Sequence, residues 1–346
     1  MLLHPDDLAG TLAGLAHRFA PRSSNTIPAL RQYESLDIGA LFPEPPRAAA
    51  EVQVRRRWTL PGMQSEDISF PSLHQPIDES FRLRYERDYV ETHTVWARRL
   101  RPTGSETRPR LLYIHGYMQP ETVIEEFVLL ANLARRFHVE VVHIQPPYHG
   151  RRKPRRSWFH GDLYWTGDVV RSVEALRQSL MDARTLLGWM LEESDRPVGV
   201  SGLSLGGLLT CGLTCLDGRF AFSMPLVAHM DIGAVVSDAP VLGWMRRELR
   251  SFGWEPADFG AFFDRIGWND LPAKLPRRRI RIFAASRDKF FAPRLVEEMS
   301  ERWGGVGIHW YDTSHMGFAA NLPRCARSMR DFIDLVGERR EGGLQE

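Results

Sequence analysis

Two spacings of apolar residues alternate along most of the chain. Short apolar-rich runs, as in "RLLYIHGY", "VEVVHI", "PVGV", "FAFSMPLV", "RIRIFAAS" and "VGIHWYD", lie between turn-forming residues. Runs of this length with such flanks predict buried strands. Between them the apolar positions recur every three or four residues. "ETVIEEFVLLANLARRF" sets Val123, Ile124, Phe127, Val128, Leu130 and Leu133 at helical spacing. "DVVRSVEALRQSLMDARTLLGWML" reads as a long amphipathic helix. Further helices are predicted from Leu205, over "APRLVEEMSERW", and around 323–336. Strands alternating with helices predict an α/β chain with a mostly parallel central sheet flanked by helices. In such sheets ligands bind beyond the C-terminal strand ends, so the loops after the strands are where chemistry is expected.

The first part of the chain reads differently. Residues 1–50 look like short helices broken by Pro21, Pro28 and "FPEPP", a segment suited to docking on a larger body or covering a pocket. From Glu51 onward, "EVQVRRRWTL" and "FRLRYERDYVETHTVWARRLRP" read as strand.

Composition narrows the class without changing this picture. The 346 residues suffice for one large α/β domain or two smaller ones, and 43% hydrophobic with 25% charged residues is ordinary for a globular protein. A net charge of +2 gives no argument for nucleic acid. Charge is local: "RRKPRR" at 151–156 and "RRRIR" at 277–281 read as solvated loop and strand-edge charge, with a site for an acidic head group or phosphate as the alternative. Three cysteines, Cys211, Cys215 and Cys325, argue against a disulfide framework and fit a reducing compartment; Cys211 and Cys215, four apart on a helix, read as packing residues. No apolar run approaches the roughly 20 residues that span a bilayer. "MLLHPDDLAGTLAGLAHRF" lacks the basic start and unbroken apolar core of a signal peptide, and reads as an amphipathic helical extension of a cytoplasmic protein.

The strand ends hold the candidate chemistry. After "PVGV" comes Gly202-Leu203-Ser204-Leu205-Gly206. In Gly-x-Ser-x-Gly the serine takes a sharp turn between strand and helix, and the flanking glycines let the helix pass close to the strand. Ser204 is thus a candidate nucleophile, with a packing turn as the plain alternative. A dinucleotide fingerprint does not fit, because position 201 is serine and Gly199 lies within the strand. A serine needs a base, and the base an orienting acid. "AASRDKFFAP" offers Asp288 and "YDTSHMGF" offers His315, in the chain order serine, acid, histidine. Asp288 could instead cap the following helix. Asp231 and Asp312 are alternative acids, and His309, inside a strand, reads as structural. An oxyanion hole needs fixed backbone donors. The N–H groups of Leu205 and of Tyr117, after His115-Gly116, are the candidates.

"IHGYM", "GLSLGG", "SRDKFFAP" and "TSHMGF" resemble the oxyanion loop, nucleophile elbow, acid turn and histidine loop of the α/β-hydrolase superfamily, over about residues 90–336. "PPYHGRRKP" followed by "RQSLMDAR" is similar to a group of uncharacterised bacterial α/β-hydrolases with a PYHGRR-type loop, and more distantly to the α/β-hydrolase domain-containing protein 18 family. There His149 and Gly150 shape a loop at the edge of the site, with no catalytic role assigned to His149. The resemblance implies an α/β-hydrolase domain over 90–346 with a cap-like helical insertion at about 241–268, and a helical and β extension over 1–89 packed on it. It implies cleavage of a small-molecule acyl ester through an acyl-enzyme, without cofactor or metal and without stable membrane insertion. Peptidase, thioesterase, acyltransferase and a non-catalytic ligand-binding protein are the alternatives on the same fold. The aromatic residues of 241–268, among them Trp244, Phe252, Phe259 and Phe262, read as core or as an apolar acyl pocket.

Overall fold

The computed structural model describes residues 4–18, 20, 22–46, 51–119 and 129–341. Nine strands form one sheet in the order β1-β2-β3-β5-β4-β6-β7-β8-β9. They are β1 Gln53–Leu60, β2 Met63–Pro71, β3 Thr94–Pro102, β4 Arg110–Ile114, β5 Glu140–Ile144, β6 Val198–Leu203, β7 Ser223–Leu226, β8 Arg281–Ala285 and β9 Gly307–Tyr311. The first three pair antiparallel, and β3 joins β5 antiparallel. From β5 across to β9 every pairing is parallel. Every residue of β4 and β5 is buried, as expected of parallel strands covered on both faces.

The chain passes from β4 to β5 on one side, then crosses back to place β6 on the other. This reversal opens a crevice beyond the C-terminal ends of β4 and β6. His115-Gly116 follows β4 and Ser204 follows β6, so both lie at that crevice.

The longer helices are α1 Pro5–His17, α2 Glu79–Asp88, α3 Val169–Glu193, α4 Leu205–Leu216, α5 Gly243–Ser251, α6 Pro256–Ile266, α7 Pro293–Arg302 and α8 Leu322–Glu341. One differs from the sequence reading. "FRLRYERD" alternates like a strand yet is helical. The Asp78 carboxylate accepts from Phe81 N at 2.7 Å and caps α2. Phe81 and Tyr85, four apart, are buried while Leu83 is 60% exposed. Helix α3 is amphipathic as its spacing predicts, but its polar side is covered. Arg171, Glu174, Arg177, Gln178, Asp182 and Arg184 are all buried.

The segment 23–46 supplies much of this cover. Tyr33 Oη donates to Glu174 at 2.6 Å, Thr26 Oγ1 donates to Asp168 at 3.0 Å, and Arg177 and Arg184 donate to the carbonyls of Leu41 and Phe42. The basic run 151–156 is also divided. Arg152 is fully buried and donates to Asp182 at 2.7 Å and to the carbonyls of Thr92 and Gln145. A buried guanidinium holds its charge only with such partners, so Arg152 belongs to the core and not to a solvated or ligand-binding loop.

The predicted helical residues Val123, Ile124, Phe127 and Val128 lie outside the described residues. Leu130 and Leu133 are fully buried. The cysteines Cys211, Cys215 and Cys325 are buried free thiols, with Cys211 Sγ 3.6 Å from Met299 Sδ. Among the described residues no helix is long and apolar enough to cross a membrane.

Candidate active site

Ser204 sits at the turn between β6 and α4. Its φ of 58° and ψ of −113° lie where a residue with a side chain is strained, a cost of order 1–3 kcal/mol. The turn is held by Ser204 N donating to Leu226 O at 3.0 Å and by α4 starting at the next residue. The fit is close: a Cβ on Gly206 would lie 2.0 Å from the Ile114 carbonyl oxygen, and one on Gly202 would lie 2.4 Å from Gly206 O. Glycine is therefore required at both positions by contact with backbone. Leu205, the first residue of α4, has an amide with no acceptor within the helix.

His315, in the loop after β9, points its ring at the serine. Its Nδ1–H donates to Asp288 Oδ2 at 2.8 Å, and Nε2 lies 2.9 Å from Ser204 Oγ. A carboxylate can only accept, so the proton sits on Nδ1 and Nε2 is left to accept from the serine hydroxyl. The other oxygen of Asp288 accepts from Phe290 N at 2.7 Å and Phe291 N at 2.9 Å, which fixes the carboxylate. Asp288 and His315 are both buried, and the Phe290 ring stacks on the imidazole at 4.4 Å between centroids. Asp288 is not the cap of α7, whose N-cap is Ala292.

The rival groups lie in other contacts. Asp231 caps the short helix Ile232–Asp238 through Ala234 N at 2.8 Å, and burial raises its pKa. The Asp312 side chain is 87% exposed and pairs with Arg287. His309 packs its ring between Phe283 and Tyr311. His149 is buried, its Nδ1–H donates to Pro147 O at 2.9 Å, and burial holds its pKa well below the usual histidine value.

A cavity of about 660 Å³ opens over Ser204 and His315. Gly116 and Tyr117 form part of its rim, and a Cβ on Gly116 would stand 3.5 Å from that of Ser204. Under this loop the His115 Nδ1–H donates to Gly116 O at 2.8 Å, and burial brings its pKa to about 4, so the ring stays neutral. Apart from Gln119 the remaining lining is apolar, including Met118, Leu203, Val227, Phe290 and Phe318. Of the segment 241–268 only Val241 reaches it among the described residues; Phe259, Phe262, Phe263 and Trp268 are buried in the core.

Helix α1 takes the place that the aromatic segment was expected to fill. Ala9, Leu12 and Ala13 line the cavity. Asp6, fully buried at the start of α1, accepts hydrogen bonds from Lys289 N, His315 N and Met316 N. In the sequence Asp6 is one of two adjacent acidic residues near the start of the chain. The single local sign was its place in the first turn of a helix, which any surface carboxylate shares.

No family model matches the chain. Over 230 residues, 63% of the chain, it is 27% identical to uncharacterised proteins of Mycobacterium tuberculosis, and the match covers 52% of their length. The chain thus spans about half the length of the curated relatives it matches. Among solved structures it is similar to acetyl xylan esterase 1 from Thermoanaerobacterium sp., with a TM-score of 0.57 at 16% identity over 89% of this chain and 93% of that one. It is also similar to a methylesterase, with a TM-score of 0.51 at 19% identity over 97% of this chain and 66% of that one. The fold is that of the α/β-hydrolases.

Proposed function

We propose that the chain is a serine hydrolase that cleaves a carboxylic ester through an acyl-enzyme. The observation that carries this reading is the unbroken hydrogen-bond chain from Asp288 through His315 to Ser204, at the mouth of an apolar cavity. His315 Nε2 takes the hydroxyl proton as Ser204 Oγ attacks the ester carbonyl. The Leu205 and Tyr117 amides stabilise the oxyanion, and the positive end of α4 adds to them. Asp288 holds the imidazole in the required tautomer and stabilises its charged form. His315 then protonates the departing alkoxide. Water, activated by the same imidazole, attacks the acyl-enzyme and frees the acid and Ser204.

The apolar lining favours an acyl group without charge near the serine. The two solved structures compared above are an acetyl xylan esterase and a methylesterase, which agrees with an ester substrate. Within the superfamily we place the chain beside the bacterial α/β-hydrolases with a PYHGRR-type loop, and its buried free thiols fit a cytoplasmic site of action.

Covalent labelling with a fluorophosphonate probe tests the reading. Wild type should be labelled at Ser204 and should hydrolyse p-nitrophenyl esters; Ser204→Ala should do neither. An unlabelled wild type, or labelling that survives Ser204→Ala, removes it.

A further inference from the structure

We propose that Asp6 is a positioning residue of the active site, and that α1 is a working wall of that site. The proposal rests on the ester-hydrolase reading of Ser204, His315 and Asp288.

The Asp6 carboxylate joins two loops that the sheet leaves separate. Oδ2 accepts from Lys289 N at 3.0 Å and from His315 N at 3.1 Å, while Oδ1 accepts from Met316 N at 2.9 Å. Lys289 directly follows the acid Asp288, and His315 is the base itself. One carboxylate therefore ties the acid loop after β8 to the base loop after β9. Together with the Asp288–His315 bond, it holds the histidine through both its backbone and its ring. Asp6 has no accessible surface, and its own amide donates to His4 Nδ1 at 3.3 Å. A buried carboxylate with three amide donors is strongly directional, because hydrogen bonds to a charged acceptor are about twice as strong as neutral ones.

Two further contacts seat the helix that carries it. Gly10 lies against Pro240: a Cβ there would be 2.7 Å from both the Cβ and the carbonyl oxygen of Pro240. At the far end, the His17 ring stacks on Trp244 at 3.5 Å, and its Nε2 lies 3.4 Å from Tyr117 Oη on the expected oxyanion loop. Helix α1 thus reaches the acid loop, the base loop and the oxyanion loop, and its Ala9, Leu12 and Ala13 face the cavity between these contacts. Displacing it would loosen the catalytic geometry, where a misplacement of about 1 Å can cost on the order of 100-fold in rate.

The test compares Asp6→Asn, Gly10→Ala and Asp7→Asn in the full chain, with the active sites of each counted by burst titration and Tm measured alongside. Asp6→Asn exchanges one acceptor for a donor that faces an amide N–H. Its kcat per titrated site should fall about 10- to 100-fold, with KM for a short ester within about twofold of wild type. Gly10→Ala, which keeps the carboxylate but crowds Pro240, should lower kcat per site about three- to tenfold. Asp7→Asn loses only the exposed pair with Lys289 Nζ and should keep wild-type kcat. Wild-type kcat per titrated site in both Asp6→Asn and Gly10→Ala overturns the proposal, even if Tm and the number of active sites fall, because α1 would then be structural only. A wild type with no burst and no esterase activity fails the underlying reading instead.

Discussion

The two walls of the cavity over Ser204 are built by different means. The inner wall comes from the loops after β4, β6, β7, β8 and β9, consecutive strands in the parallel part of the sheet. Its geometry is set by backbone contact: the elbow at Ser204, and a helix so close to β4 that only glycine fits at 206. The outer wall is α1, brought to the same place from the other end of the chain. It is seated by one carboxylate, one glycine and one stacked histidine. The inner wall is anchored at the ends of paired strands, whereas the outer wall belongs to a helix outside the sheet. Substitutions inside should therefore strike the bond-breaking step, and substitutions outside should strike alignment and selectivity.

The sharpest break in this contrast is Ser204→Ala. Ester turnover should fall by on the order of 10³- to 10⁶-fold with little change in Tm, measured with a p-nitrophenyl ester. Next is the acid. In Asp288→Asn the amide oxygen can still accept from Phe290 N and Phe291 N, so the loop should stand. The NH₂ group then faces His315 Nδ1, which should favour the wrong tautomer and lower kcat about 10³- to 10⁴-fold. Asp231→Asn, at a helix cap, should leave kcat intact, and the reverse pattern would move the acid role to Asp231. On the outer wall, Ala9→Phe should lower kcat/KM for long-chain esters about tenfold while short-chain esters are unchanged, read from a panel of increasing acyl length. An equal loss for all lengths would show that α1 does not face the acyl chain.

The smallest effect concerns pH. Burial lowers the pKa of His17 to about 3, of His115 to about 4 and of His229 to about 3. These rings are neutral in the folded protein and take up protons near pH 6.5 once unfolded. The unfolded state therefore binds more protons, so stability is complete above about pH 6.5 and falls as pH drops toward 4. Each ring contributes roughly 1.4 kcal/mol per pH unit in that window. Denaturant titrations at pH 7.5 and 5.5 should show the loss, and His17→Gln should flatten the slope by one proton. An unchanged slope would mean that His17 is as accessible to protons in the folded chain as in the unfolded one.

Much of the sheet and of the inner wall was legible locally. "LLYI" is an unbroken apolar run because both faces of its strand are covered, and "EVVHI" is buried throughout with Glu140 and His143 among its apolar residues. The residues Ser204, Asp288 and His315 each follow a strand, and a parallel sheet brings such positions to one edge. The failures have a common cause. The alternation of Phe81, Leu83 and Tyr85 mimics a strand until Asp78 is seen capping a helix. The polar side of α3 is legible as polar, but not that Tyr33, Thr26 and Arg152 lie against it. The aromatic residues near 259–268 suggest a pocket, but they pack into the core.

The sequence by itself determined the period of each core element, and with it a parallel sheet whose strand ends bear a serine, an acid and a histidine in a fixed order. Local periodicity and the handedness of crossovers suffice for that. Only the tertiary structure decided what covers those residues. Asp6 meets His315 across more than 300 positions of chain, and nothing near Asp6 in sequence separates a buried carboxylate holding three amides from one at a helix start in water. That difference lies in the donors that surround it, and the folded chain alone brings them there.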